Sequence, residues 1–195
     1  MRLRPSLLAA LGVALLATAA SAQRSMDDVV IESVELTESI HLLTGAGGNM
    51  AVCVGDDGVF LVDDQYAPLT EKIRSKIEEI HDGPVRFVIN THWHGDHTGG
   101  NENFGEAGSL IVAHDNVRAR MAIENVSTLF DRTTPPSPEG ALPVVTFSED
   151  VTFHLNGETV RCFHVPNAHT DGDAIIHFVD ADVIHMGDVL FNRLF

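Results

Sequence analysis

The sequence predicts a layered α/β (α+β) domain, and three observations carry this prediction. Short apolar runs recur along the chain and are typical of buried strands. Two longer stretches, residues 68–80 and 115–130, indicate helices. The chain has 195 residues, 44% of them hydrophobic, which is enough for one globular domain in which strands and a few helices form layers.

The first half of the chain is predicted to contain a hairpin followed by a helix. Glycines at 45–48 end one strand, and the glycine-bearing turn at 55–58 joins two apolar runs as a hairpin. The helix at 68–80 has a proline near its start and apolar residues at helical spacing. The predicted strands cover residues 29–31, 40–43, 49–54, 59–62 and 85–89.

The second half is predicted to be richer in strands. A short helix opens at 99–101 and runs to 104, and a longer helix runs from Asp115, as N-cap, to 130. Four prolines make 133–143 an irregular surface loop. Asn156-Gly157 is a strong hairpin turn signal. The predicted strands cover residues 109–113, 144–147, 151–155, 159–165, 174–179 and 183–186.

The first residues have the three-part layout of a secretory signal peptide. A basic start with Arg2 and Arg4 precedes an apolar run, and small residues lead to Ala22. We predict a signal peptide at 1–22 and one domain at 23–195, in a protein that is periplasmic or secreted. The alternative is an N-terminal membrane anchor, which the short, alanine-rich run disfavours.

The net charge of the chain restricts the kinds of partner it can bind. The formal net charge is −16, and an acidic surface repels both nucleic acid and anionic lipid. We therefore expect a small-molecule substrate and neither nucleic acid nor, after signal cleavage, a membrane as partner; the oligomeric state stays open.

Cys53 and Cys162 lie in strand-like runs, which favours two buried free thiols over a disulfide.

A cluster of metal-binding residue types follows the apolar run 85–89. His92 and His94 are two residues apart, so in an extended segment both side chains point the same way and can bind one metal. Asp96 and His97 follow and can face a second metal. Three histidines and one carboxylate within six residues indicate a metal site, with zinc the best match for histidine.

Two further candidates lie just past later strands. His169 is the best third ligand for the first metal, and Asp188 is placed to bridge two metals. We expect His114 to be structural rather than a ligand. Trp93 either lines the pocket or anchors the packing. Asp171 and Asp173 are expected to form turns, the alternative being that they support His169.

The sequence resembles the metallo-β-lactamase superfamily. The segment His92-Trp93-His94-Gly95-Asp96-His97 is similar to its H-x-H-x-D-H signature, with His169 and Gly187-Asp188 following in the family's order. The resemblance implies an αββα sandwich and two zinc ions at one sheet edge. His92, His94 and His169 would bind the first ion, and Asp96, His97 and the bridging Asp188 the second.

The resemblance also implies a role for two acids and a reaction. Asp63 would support the metal loop without binding metal, and Asp96 would be catalytic by orienting a metal-bound hydroxide that attacks a carbonyl. The leading expectation is an exported zinc hydrolase acting on a β-lactam-like amide. The alternatives are a lactone or thioester hydrolase, a non-haem iron oxygenase, and an inactive metal-binding fragment.

One departure from the family pattern concerns the end of the sequence. Family members carry a further histidine well past the Gly-Asp pair, whereas this sequence ends seven residues after Asp188. We therefore expect a truncated sandwich with an incomplete second half, a complete first metal site, and a second site that lacks one ligand.

Overall fold

A computed structural model describes residues 25–128 and 131–191. The predicted signal peptide, residues 1–22, lies outside the described residues. No helix among the described residues combines the length and the apolar character that a bilayer crossing requires.

The described residues form thirteen strands and four α-helices, joined by short 3-10 turns. The strands are β1 (Glu32–Glu35), β2 (Ile40–Thr44), β3 (Met50–Cys53), β4 (Val59–Val62), β5 (Val85–Ile89), β6 (Leu110–His114), β7 (Asn125–Ser127), β8 (Arg132–Thr134), β9 (Val145–Phe147), β10 (Asp150–Leu155), β11 (Glu158–His164), β12 (Ala174–Phe178) and β13 (Val183–His185). The helices are α1 (Thr70–Ile80), α2 (Gly95–Thr98), α3 (Asn101–Glu106) and α4 (Asp115–Met121).

The larger sheet has seven strands in the order β1-β2-β3-β4-β5-β6-β9. Strands β1 to β4 pair antiparallel, whereas β4, β5, β6 and β9 run parallel. The carboxyl ends of parallel strands meet at one sheet edge. The residues that follow β4 and β5, namely Asp63-Asp64 and the histidine cluster, are therefore brought together at that edge.

The smaller sheet has four antiparallel strands in the order β10-β11-β12-β13. The predicted turn between β10 and β11 is present: Asn156 and Gly157 have φ of 55° and 74°, the left-handed values that a two-residue hairpin turn needs. The loop between β11 and β12 carries His169, and Asp188 follows β13. Both residues reach the site from this second sheet.

The main core lies between the two sheets. Phe60 of β4 packs edge-on against Phe153 of β10 with ring centroids 5.1 Å apart, and Cys53 and Cys162 are buried in the same cluster. A second core lies on the other face of the larger sheet, where Ile73 and Ile77 of α1 are fully buried. Mixed α/β structure with two sheets, as predicted, is confirmed. The described residues supply both sheets and a helical layer on the larger one.

The two cysteines are free thiols buried in this core. Burial raises the pKa of the Cys53 thiol to about 11 and that of Cys162 further, so both are inert at neutral pH. The preference for two free thiols over a disulfide agrees with this arrangement.

The helix predicted over 115–130 was wrong in length and in its cap. It ends at Met121, and His114 rather than Asp115 is the N-cap, its ring accepting the Asn116 amide N–H. The Asn125 side chain donates to the carbonyls of Arg120 and Ile123, which closes the last turn. The chain then forms the β7–β8 hairpin, so part of the predicted irregular loop at 133–143 is strand.

The predicted edge strand at 29–31 was also misplaced. The strand at this edge is β1, Glu32–Glu35, whose side chains are all exposed. The preceding segment is held differently, because the Lys72 ammonium of α1 donates to the backbone carbonyls of Met26, Asp27 and Val29. Those carbonyls are engaged by a side chain instead of a neighbouring strand.

Candidate metal centre

The histidine loop is shaped by hydrogen bonds at the end of β5. The Asn90 amide donates to the His97 carbonyl and to Asn101 Oδ1, 3.0 Å away, and Asn101 donates back to Asn90. His94 is the N-cap residue of α2, and the short helix that follows carries Asp96 and His97. The loop is therefore fixed by buried amides before any ligand binds.

Three histidines converge as the sequence predicts. His92 Nε2 lies 3.1 Å from His94 Nδ1, which lies 3.0 Å from His169 Nε2. At the usual zinc–nitrogen distance of about 2.0–2.1 Å, the edge of a tetrahedron is about 3.3–3.4 Å, close to these separations. The three nitrogens are therefore arranged as ligands of a tetrahedral ion, and their donor set fits zinc.

A second group of ligand atoms lies beside the first. Asp188 Oδ1 is 3.1 Å from His97 Nε2, while its Oδ2 is 3.5 Å from His169 Nε2 and 4.0 Å from His92 Nε2. The two oxygens of Asp188 thus face different histidines. The combinations His92–His94–His169 and His92–His97–Asp188 each bring three ligand atoms within 4.8 Å of one another.

The second group also includes Nε2 of His97 and a carboxylate oxygen of Asp96. His97 Nε2 is buried and makes no hydrogen bond to any described residue. Asp96 Oδ2 lies 3.6 Å from the same nitrogen. A buried nitrogen without a partner normally costs free energy, so its aim toward two carboxylates fits a position that a cation fills.

The electrostatics of the centre differ between His92 and His94, on one hand, and His97 on the other. Burial, together with the neighbouring His97, lowers the pKa of His92 to about 3, and burial and His169 lower that of His94. Burial also opposes a charge on His97, but Asp63 and Asp188 outweigh it and raise the pKa of His97 to about 10. The close contact of the Asp188 carboxylate with His97 Nε2 lowers the pKa of Asp188 to about 2. The neutral imidazoles of His92 and His94 and the carboxylate of Asp188 are the ligand forms that zinc requires, whereas His97 carries a proton at neutral pH that a metal ion at Nε2 would have to displace.

Asp63 positions this loop without touching the ligand atoms. Its carboxylate accepts the Thr91 N–H, the Thr91 hydroxyl and the His97 Nδ1–H, each at 2.7 Å. A donating Nδ1 leaves Nε2 as the metal-facing nitrogen of His97. The support predicted for Asp63 therefore has a specific geometry, and Thr91, which the sequence did not single out, shares it by contacting His92 Nδ1 at 3.0 Å.

A glycine allows the β2–β3 loop to lie against the centre. A side chain at Gly48 would collide with the ring of His97, and the Gly48 N–H donates to the Asp96 carbonyl at 3.1 Å. Gln65 holds this loop, since its amide donates to the Gly48 carbonyl at 2.6 Å. In the sequence, the glycines of this loop indicated only the end of a strand.

The other residues singled out in the sequence can each be assigned a set of contacts. His114 contacts the Ser148 carbonyl and the Asn116 N–H, away from the ligand atoms. Asp173 accepts from the Thr170 N–H and hydroxyl, so it forms a turn as expected. Asp171 instead pairs with Arg120 of α4 at 2.7 Å. Trp93 both packs beside α4 and lines a cavity over the centre.

This cavity has a volume of about 690 Å³. Its floor contains His94, Asp96 and His169, and its walls include Tyr66, Trp93 and the β7–β8 hairpin. A volume in this range suits a small-molecule ligand. The same floor therefore presents ligand atoms, a carboxylate and an accessible surface for a substrate.

Comparison with known proteins agrees with this geometry. The sequence model of the metallo-beta-lactamase superfamily matches residues 43–195. A hydroxyacylglutathione hydrolase of Hyphomonas neptunium is 28% identical over 150 residues, 75% of this chain and 44% of that protein. The 2,4-dinitroanisole O-demethylase subunit alpha of a Nocardioides species is 26% identical over 142 residues, 71% of this chain and 40% of that protein.

A solved structure shares the fold at lower identity. A metallo-beta-lactamase with a HARLDQ motif from Cronobacter sakazakii superposes with a TM-score of 0.65 at 18% identity, covering 78% of this chain and 60% of that one. The chain spans less than half the length of the hydrolase and the demethylase subunit that it matches.

Proposed function

The chain belongs to the metallo-β-lactamase superfamily, and on that premise we propose that it acts as an exported, zinc-dependent hydrolase of a small carbonyl compound. The observation that carries this proposal is the placement of Asp188 between the two ligand groups, with one oxygen toward His97 and the other toward His92 and His169. A carboxylate in that position suits a pair of ions rather than a single one.

Each ion position has its own set of residues. His92, His94 and His169 would hold the first ion, and Asp96, His97 and Asp188 would contribute to the second. When bound, zinc lowers the pKa of water to about 7 and polarises a carbonyl. The Asp96 side chain lines the cavity and is 38% exposed, so it is accessible to a substrate and would orient the attacking water, accept its proton and pass it to the leaving group.

We place lactones and thioesters first among the substrate classes. A carboxylate at the position of Asp188, which would bridge two ions, is the arrangement that the family resemblance associates with glyoxalase-type hydrolases, and a curated relative is named a hydroxyacylglutathione hydrolase. A β-lactam is the second candidate, which the predicted signal peptide favours because β-lactams act outside the cytoplasm.

Hydrolysis assays with zinc-loaded protein test this proposal. We expect turnover of a glutathione thioester or γ-butyrolactone, with slower or no turnover of a chromogenic cephalosporin. His92→Ala should abolish it, and His154→Ala, which removes an exposed histidine on β10, should not. Turnover of the cephalosporin alone would reverse the order of the classes, and activity that survives His92→Ala would refute the metal mechanism.

Metal analysis separates the zinc proposal from an oxygenase on the same fold. Protein purified without added metal should contain zinc, and iron at the first site would favour oxidation over hydrolysis. The export proposal is tested by expressing the gene in a bacterial host and sequencing the mature N-terminus. A mature chain starting at Gln23 in the periplasmic fraction is the expected result.

A further inference from the structure

The β7–β8 hairpin forms a wall of the cavity over the metal centre. Asn125, Val126, Ser127, Arg132 and Thr134 line the same cavity as His94, Asp96 and His169. A substrate whose carbonyl lies at the candidate metal ligands can therefore extend to the hairpin within one cavity.

Two arginines line the cavity, and they differ in whether a carboxylate among the described residues neutralises their charge. Arg120 is neutralised, because its Nε and Nη2 donate to Asp171 Oδ2 at 2.9 and 2.7 Å. Arg132 is exposed and lies within 4 Å of no carboxylate among residues 25–128 and 131–191. In a chain of net charge −16, this guanidinium is a positive charge left available at the cavity wall.

Tyr66 lines the cavity together with Asp96 and Arg132. Burial and the charge of Asp96 raise the pKa of the Tyr66 hydroxyl, whereas the charge of Arg132 acts on it in the opposite sense. Asp96 belongs to the loop that carries the candidate metal ligands and Arg132 to the β7–β8 hairpin, and both side chains line this one cavity. A molecule that spans the cavity can contact the metal centre and Arg132 at once.

We propose that Arg132 binds a carboxylate carried by the substrate at the end remote from the reacting carbonyl. The guanidinium is planar and matches a carboxylate with two parallel N–H donors. The substrate class is then an acyl compound with a free carboxylate, and Arg132 determines specificity without taking part in the chemical step. This inference rests on the proposed hydrolase function.

Matched pairs of substrates test the inference. The anionic members are para-nitrophenyl monoesters of the dicarboxylic acids from succinic to suberic, and the neutral members are the same compounds with the free carboxylate methylated. The quantity measured is the ratio of kcat/KM for the anionic over the neutral member. Wild-type protein should prefer the anionic member at one or more chain lengths.

Arg132→Gln should lower this ratio about tenfold, through a higher KM for the anionic member, because a hydrogen-bonded charge is lost. Arg132→Lys should restore part of the ratio. Arg74→Gln, which removes a half-buried arginine paired with Glu71 on α1, is the charge-matched control and should keep the wild-type ratio. An unchanged ratio in Arg132→Gln overturns the inference while the hydrolase proposal stands.

Absence of turnover for every pair in wild-type protein counts against the hydrolase proposal, and a binding measurement then decides on Arg132. The probes are suberate and its monoamide, titrated into zinc-loaded protein by calorimetry. Suberate should bind more tightly than the monoamide to wild type, and Arg132→Gln should remove that difference. Equal affinities in wild type, or a difference that persists in the variant, overturn the inference.

Discussion

The carboxylate of Asp63 lies 2.7 Å from Nδ1 of His97, although 34 residues separate them in the chain. Asp63 follows β4 and His97 lies in α2, so the contact joins the ends of two neighbouring strands of the larger sheet. It fixes which nitrogen of His97 faces Asp188 and the metal position. Contacts of this kind orient ligands and tune their basicity.

Asp63→Asn should weaken metal binding at the His97 group by about 10–100-fold. The amide keeps the size of the side chain, but it lacks the charge that favours a donating His97 Nδ1–H. Titration of zinc against a competing chelator measures the loss, which should affect one of two ions. Full affinity for both ions in the variant would contradict this role.

Asp64→Asn is the matched control for the neighbouring acid. Asp64 is completely buried, accepts the Gly100 N–H at 2.9 Å and has Oδ2 without a described partner. Burial raises the pKa of Asp64 well above its usual value, so the neutral acid is favoured and an amide can replace it. We expect unchanged zinc affinity and a melting temperature at or above that of the wild type.

His169→Ala should remove the metal from the first site. Its Nε2 is the nitrogen that the second sheet contributes to the group of three, and zinc needs three protein ligands at an open site. Elemental analysis should show about one equivalent of zinc lost per chain. His154→Ala, on the exposed face of β10, should retain the wild-type metal content. Equal metal content in both variants would remove His169 from the ligand set.

Asn156 is expected to contribute strongly to stability because its side chain joins the turns of the two sheets. It accepts the Asp57 N–H at 2.9 Å and donates to the Gly58 carbonyl at 2.8 Å. Asn156→Gly should cost about 1–2 kcal/mol through these bonds. Asn156→Ala should cost about 1 kcal/mol more, because its φ of 55° strains any residue with a Cβ. Denaturant unfolding measures both; equal losses would show that the backbone term is absent.

The stack of His114 on His164 should make the fold sensitive to acid. Their rings are 3.9 Å apart and tilted by 14°. Burial and the neighbouring His164 lower the pKa of His114, while Asp115 and Asp171 oppose the shift and leave a net lowering. A histidine with a lowered folded pKa stabilises the fold above its unfolded value of 6.5, and that contribution is lost as the pH falls below it.

His164→Gln removes the imidazole stacked on His114 and keeps an amide that can donate to the Asp173 carbonyl, as His164 Nδ1 does. The melting temperature of the variant should fall less than that of the wild type between about pH 7.5 and about pH 5.5. Comparing the two proteins cancels the titration of the metal centre, which is the same in both. An equal fall of the melting temperature in both proteins would show that other groups cause the acid sensitivity.

The strands other than β1, β7 and β8 were predictable from the sequence because their apolar runs are continuous and bounded by turn residues. The end of α4 was not predictable. In the sequence, the apolar residues Ile123 and Val126 extend the pattern of Val117 and Met121, but in the structure they lie outside the helix. Ile123 and Val126 are 51% and 66% exposed, and the side chain of Asn125 closes the helix before them. An apolar residue in sequence does not reveal which way its side chain faces when a local side-chain cap competes with the helix.

The ligand cluster was predictable because three histidines and one aspartate within six residues are typical of a metal site. His169 and Asp188 came from position after strands and from family resemblance, and the structure brings both to the cluster. Thr91, Gln65 and Arg132 left no signal in the sequence. Their roles depend on contacts across the fold, such as the bond from Gln65 to Gly48, which spacing along the chain does not encode.

The candidate ligands are divided between the sheets, with His92, His94 and His97 following β5 and His169 and Asp188 supplied by the smaller sheet. A folding intermediate with only the larger sheet formed would hold an incomplete ligand set. Tight zinc uptake should therefore begin only once the sheets have docked, so the rate of metal capture during refolding reports the final long-range step of folding.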